Sequence, residues 1–197
     1  MSDPEAARHL ALGAIAATNN AAEALISDGF DDLWSAFELL RDTFSNGHHV
    51  YICGNGGSAG DAQHFATELV VRLDAPSKRR PLPATALTTD TAILTAASND
   101  FGFERVFAQQ VEARAKSGDC LVMISTSGNS PNLLKAAEVA NSMSVSTLAL
   151  LGKGGGRLKS LVDCAVVVPS DSTQRVQEVH LFCLHMLCEW LEPVFSE

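Results

Sequence analysis

Leu33, Phe37, Leu40 and Phe44 recur at the spacing of one helical face and predict a helix over about 31–44. The alanine-rich stretch before it predicts another over about 4–26, with Leu10, Leu12, Ile15, Ala16 and Leu25 supplying its apolar surface. Asn46-Gly47 ends the second helix, and from there the pattern changes. Short apolar runs at 49–53, 84–87, 119–124, 145–151 and 164–168 read as strands. Between and after them, helical patterns cover about 58–72, 91–97 and 106–115, a segment opened by Pro131, and 173–191. The run at 119–124 is almost continuously apolar, as a central parallel strand requires. Strands alternating with helices predict a doubly wound, three-layer α/β sandwich with a five-stranded parallel sheet. The two leading helices (1–46) precede the α/β core (47–197) within one domain. Having no sheet partner of their own, they are expected to pack across a subunit interface.

Composition narrows the function classes. At 197 residues with 19% charged side chains, the chain can bury a full core and is not disordered. Its net charge of -9 and lack of a long basic run argue against nucleic-acid binding. The single basic cluster, Lys78-Arg79-Arg80, reads as a solvated loop. Cys53, Cys120, Cys164, Cys183 and Cys188 lack CxxC spacing and read as buried free thiols in a reducing compartment. With no signal-like or membrane-spanning run, the expected location is cytoplasmic, away from membranes.

Two strand-to-helix turns carry candidate chemistry. Gly54-Asn55-Gly56-Gly57-Ser58 and Ser125-Thr126-Ser127-Gly128-Asn129-Ser130 are small and polar, so their backbone N–H groups and hydroxyls can approach an anion at a helix N-terminus. The first also fits the loose dinucleotide pattern as Gly54-x-Gly56-x-x-Ala59. The acidic residue expected about 20 positions later at a strand tip is missing, since Asp90 comes too late.

His64 and Glu68, at i and i+4, share one face of the helix that the first turn opens, where they can grip a metal or move a proton. The last helix offers Gln177, Glu178, His180 and His185 as partners. Gln177 and His185 are separated by about 12 Å of rise and about 80° of rotation, whereas Gln177 and His180 are the easier pair by spacing. Spacing alone leaves both open.

The run Gly54-Asn55-Gly56-Gly57-Ser58-x-x-Asp61-Ala62-x-His64-Phe65-Ala66-x-Glu68-Leu69 resembles the signature of the bacterial sedoheptulose 7-phosphate (phosphoheptose) isomerases, members of the sugar isomerase (SIS), flavodoxin-like fold class. Asn99-Asp100-Phe101-Gly102-Phe103, 125–130 and Arg175-Val176-Gln177-Glu178-Val179-His180 match further family segments in order. The resemblance implies one zinc ion per subunit held by His64, Glu68, Gln177 and His185, which leaves His180 to pack nearby. It implies substrate contacts from Asn55, Gly56, Gly57, Glu68, Asn99, Asp100 and Gln177. Ser125, Thr126, Ser127 and Ser130 would hold the phosphate, helped by Ser58. It also implies a homotetramer with sites at subunit contacts.

The implied reaction converts D-sedoheptulose 7-phosphate into D-glycero-D-manno-heptose 7-phosphate, the first step of nucleotide-activated heptose biosynthesis, which serves lipopolysaccharide among other glycoconjugates. Glu68 would shuttle the proton and His185 would act as the complementary acid, with Asp61 and Asp100 as second candidates for orientation or relay. Relatives that lack the metal face serve as binding proteins, such as a DnaA-binding replication initiation factor or a sugar-phosphate sensor. Retention of His64, Glu68 and His185 favours the enzyme.

Overall fold

A computed structural model describes residues 3–73 and 78–196. The helices α1 (Pro4–Asp28) and α2 (Phe30–Ser45) lead into β1 (Val50–Gly54), α3 (Gly57–Val70), β2 (Ala84–Ala86), α4 (Thr91–Phe101) and α5 (Ala108–Arg114). The chain continues through β3 (Cys120–Ser125), α6 (Pro131–Ser142), β4 (Ser146–Leu151), β5 (Cys164–Val167) and α7 (Thr173–Val194). The strands form the expected five-stranded parallel sheet, in the order β2-β1-β3-β4-β5, with Val50 beside Cys120 and Ser125 beside Leu151.

All six residues of β3 are buried, because the strand is covered on both faces. Cys120, Val122 and Ile124 pack into one core with α2, α3 and α7, while Leu121 and Met123 pack into the other with α5 and α6. This division follows from the winding order. From β1 the chain moves outward to β2, then returns and proceeds the opposite way through β3, β4 and β5. Crossovers of one hand therefore place α3 and α6 on opposite faces and open a crevice between the tips of β1 and β3.

Several expectations need correction. Helix α2 is not reserved for another subunit: Leu33, Ala36, Phe37, Leu40 and Phe44 are buried in the core shared with β1 and α7. Only α1 is left largely uncovered, with Ala21 and Leu25 buried but Leu10, Leu12 and Ile15 more than half exposed. The helix expected over 106–115 forms only as α5 at Ala108–Arg114, after a separate one-turn helix at Phe103–Arg105. Four cysteines are buried free thiols as expected, but Cys164 is half-buried at the start of β5.

The basic cluster is solvated at Lys78 and Arg80 but not at Arg79. Arg79 is buried, its Nε lies 3.2 Å from Glu192 Oε1, and its Nη atoms donate to the carbonyls of Leu69 and Glu68 at 2.7 Å. Arg80 donates to the Phe44 carbonyl and covers the Phe195 ring, although it is exposed, as Lys78 is. Residues 74–77 of the same loop, including Pro76, lie outside the described residues.

Candidate functional site at the crevice between β1 and β3

Helix capping separates the four helices that follow strand tips. Asp90 caps α4 by accepting from the Ile93 N–H, and Ser172 caps α7 by accepting from the Arg175 N–H. The N-caps of α3 and α6, Gly56 and Ser130, make no such bond. Their first-turn N–H groups lack a side-chain acceptor, so they can receive an anion. These are the two helices opened by the turns singled out from sequence.

The second turn is braced to stay open. Ser125 is buried and its Oγ accepts from the Gly128 N–H at 3.0 Å, leaving the hydroxyl proton free to donate. Gly128 has φ +63°, and a Cβ there would overlap the Gly155 carbonyl, so this turn packs directly on the glycine-rich 152–156 segment. Ser127 accepts from the Asn129 N–H, and Asn129 in turn accepts from the Arg157 N–H. Thr126 and Ser130 are partly buried beside them. In the first turn, Ser58 is buried against Gly54, where a Cβ would lie 2.6 Å from the Ser58 carbonyl. Gly56 and Gly57 are exposed, and a Cβ on Gly57 would land on the Gln177 amide.

The structure brings α3 and α7 together. His64 Nε2 lies 2.8 Å from His185 Nε2, and His64 Nδ1 lies 3.7 Å from Glu68 Oε1. Asp61, one turn before His64, is buried and leaves Oδ2 without a partner. Burial raises its carboxyl pKa, opposed by a hydrogen bond from the Gln177 amide and by the nearby His64. His180 faces elsewhere: its Nε2 donates to the Leu151 carbonyl at 3.0 Å, and burial lowers its pKa to about 4. It is a neutral core histidine, tying α7 to the tip of β4.

Asn99 and Asp100 are exposed near the end of α4, with the Asn99 amide donating to Asp100 at 2.8 Å. No hydrogen bond among the described residues joins either to the two turns. Phe103, just beyond them, does reach the cleft lined by Asn55, Ser130 and Asn132.

Zinc suits this donor set in part. Imidazole nitrogen and carboxylate oxygen are ordinary zinc donors and a neutral Gln amide an uncommon one, and the two Nε2 atoms at 2.8 Å would have to part by about 0.5 Å to sit as neighbouring tetrahedral ligands. Among the described residues, however, no three His, Cys, Asp or Glu side chains are arranged to hold a metal. Glu68 lies toward the far nitrogen of His64, so bringing Glu68 onto an ion shared by His64 and His185 would require it to turn.

Sequence reasoning missed three contributors: Asn132, the 152–156 brace and Arg79. The glycine run Gly154-Gly155-Gly156 was a visible signal for the brace. For Asn132 the only signal was its place two residues after Ser130, and for Arg79 there was none.

The SIS domain family matches residues 15–152. The chain is 54% identical to a phosphoheptose isomerase of Campylobacter concisus over 160 residues, covering 81% of this chain and 84% of that one. It is 52% identical to a phosphoheptose isomerase of Helicobacter pylori, covering 80% and 81%. Among solved structures, phosphoheptose isomerase GmhA from Neisseria gonorrhoeae superposes with a TM-score of 0.84 at 38% identity, covering 96% of this chain and 97% of that one.

Proposed function

The chain belongs to the phosphoheptose isomerases of the SIS-domain family, and from that premise we propose that it converts D-sedoheptulose 7-phosphate into D-glycero-D-manno-heptose 7-phosphate with one zinc ion per subunit. That reaction is the first step of nucleotide-activated heptose biosynthesis. The observation that carries the reading is the meeting of His64 with His185, and of His64 with Glu68, beside two uncapped helix N-termini. One end of the site suits a phosphate and the other suits proton transfer.

In this reading Ser125, Thr126, Ser127 and Ser130 hold the phosphate with the N-terminus of α6, and Ser58 supports the first turn. Asn55, Gly56, Gly57 and Gln177 bind the sugar, with Asn99 and Asp100 contributing from a neighbouring subunit of a cytoplasmic homotetramer. The uncovered apolar residues of α1 support such an assembly. Glu68 removes a proton from C1 of the ketose, which leaves a cis-enediolate, and returns a proton to C2. His185 moves the hydroxyl proton between O1 and O2, so the product is an isomer with no net change in protons. His64 and His185, with Glu68 and Gln177, would hold zinc, whose contribution when bound is to stabilise negative charge on the sugar oxygens.

Glu68→Gln is expected to lower kcat by about 10³-fold or more while sugar-phosphate binding persists. Formation of aldoheptose phosphate is the assay, and normal turnover in that variant would refute the role of Glu68. Exhaustive chelation with metal content verified should abolish turnover, with recovery on adding zinc. Full activity in the metal-free protein would refute the zinc requirement.

A further inference from the structure

Asn132 stands outside every role assigned so far, yet it makes a specific connection at the centre of the crevice. Its Nδ2 donates to Asn55 Oδ1 at 2.8 Å, and Asn55 Nδ2 donates back to Asn132 Oδ1 at 2.9 Å. Asn132 is 2% exposed, whereas Asn55 is half-buried. One amide comes from the turn after β1 and the other from the first turn of α6, after β3. Because α3 and α6 lie on opposite faces of the sheet, this pair crosses the point where the strand order reverses.

A side-chain amide has two N–H groups and an oxygen with two lone pairs. Pairing uses one of each on Asn55 and leaves one N–H and one lone pair. Turning Asn55 alone would set nitrogen against nitrogen and oxygen against oxygen, so the pair fixes the plane of the Asn55 amide and forbids its independent rotation. Asn55 and Asn132 both line a cleft of about 410 Å³ that also contains Ser130 and Phe103. An amide held in one plane beside the phosphate turn can address a sugar hydroxyl without first being ordered.

We propose that Asn132 is a positioning residue, acting through Asn55 to present a preorganised amide to the sugar portion of the substrate. The inference rests on the sugar-phosphate reading above. It requires the sugar end of the ligand to depend on Asn132 while the phosphate end does not.

The test is a double-mutant cycle with Asn132→Leu, close in shape but without hydrogen-bonding groups, and Asn55→Ala. Asn132→Ala serves as a second variant should the leucine variant not fold. Alone, each Asn132 substitution should lower kcat/KM for sedoheptulose 7-phosphate by about tenfold or more, the scale of two lost hydrogen bonds. In the Asn55→Ala background the same substitution should change it by less than about twofold. Competitive inhibition by inorganic phosphate should stay within about twofold of the parent in both variants, since the serine turn is untouched.

A merely structural role at the start of α6 would instead weaken phosphate in parallel with substrate. That result, or additive losses in the cycle, overturns the proposal. If the parent protein binds the sugar phosphate by calorimetry without turning it over, the isomerase reading fails and the same cycle is read on Kd. If it binds no sugar phosphate, both fail.

Discussion

Replacing Arg79 by Met tests whether a residue that looks like part of a basic surface loop supports the helix carrying His64 and Glu68. Methionine keeps an unbranched apolar stem, so the loss falls mainly on the guanidinium. Glu192, its side chain only 14% exposed, would lose this ion-pair partner, and its Oε2 already lacks a hydrogen bond. The carbonyls of Glu68, Leu69 and Arg80 would lose their Arg79 donors. Removing one member of a buried ion pair costs about 3–5 kcal/mol, and the lost bonds to the carbonyls do not lessen that, although Leu69 keeps the Leu82 N–H. For a chain of this length, such a loss lowers Tm by about 6–20 °C. A solvated loop arginine would change stability by no more than about 0.5 kcal/mol. Urea unfolding at constant m-value separates these outcomes, and hydrogen exchange should quicken first at the end of α3. Adding Glu192→Leu should recover part of the loss, because the unpaired charge goes with it. A single variant within about 1 kcal/mol of the parent would refute the argument, as would a double variant less stable than the single.

Two further outcomes follow from close contacts. Gly57→Ala favours the helix locally, yet its methyl lands on the Gln177 amide. We expect kcat/KM to fall about tenfold or more with Tm nearly unchanged, and unchanged activity would separate Gln177 from the site. His180, neutral in the fold with its pKa near 4 against about 6.5 unfolded, contributes stability that is complete above pH 6.5 and lost as pH falls toward 4. Urea titrations should show His180→Gln losing about 3 kcal/mol less than the parent over that interval, and parallel curves would contradict the burial argument.

The sheet was legible because each strand is a short apolar run bounded by small polar residues, and parallel strands covered on both faces must look that way. The two candidate anion turns were legible for a related reason: small residues and hydroxyls at a strand tip have few other uses. What could not be read depends on contacts distant in sequence. Arg79 and Glu192 are far apart along the chain, and no local pattern distinguishes a buried arginine from the solvated Lys78 beside it. Helix α2 displays a regular apolar face in sequence, but whether it covers its own sheet or a neighbour's is decided by the path of the chain after Gly29. The choice between His180 and His185 was likewise a matter of rotation along α7. The Leu151 carbonyl takes the first, and His64 meets the second.

The two nitrogens of His64 bear on a difficulty in the proposed chemistry, since one carboxylate cannot offer the same lone pair to a metal and to a proton. Glu68 stands toward Nδ1, whereas His185 stands at Nε2, on the other side of the ring. A proton on Nδ1 is favoured by the carboxylate facing it and leaves the Nε2 lone pair directed at His185. Under the proposed function, Glu68 in that position would orient His64 toward an ion, and its oxygens would stay available for the sugar proton. Ligation by Glu68 requires it to leave Nδ1, which removes the bias that holds the Nε2 lone pair open. Under the proposed function, proton transfer and direct ligation by Glu68 would thus belong to different side-chain positions, and Glu68 at Nδ1 is not placed to share an ion held at His64 Nε2.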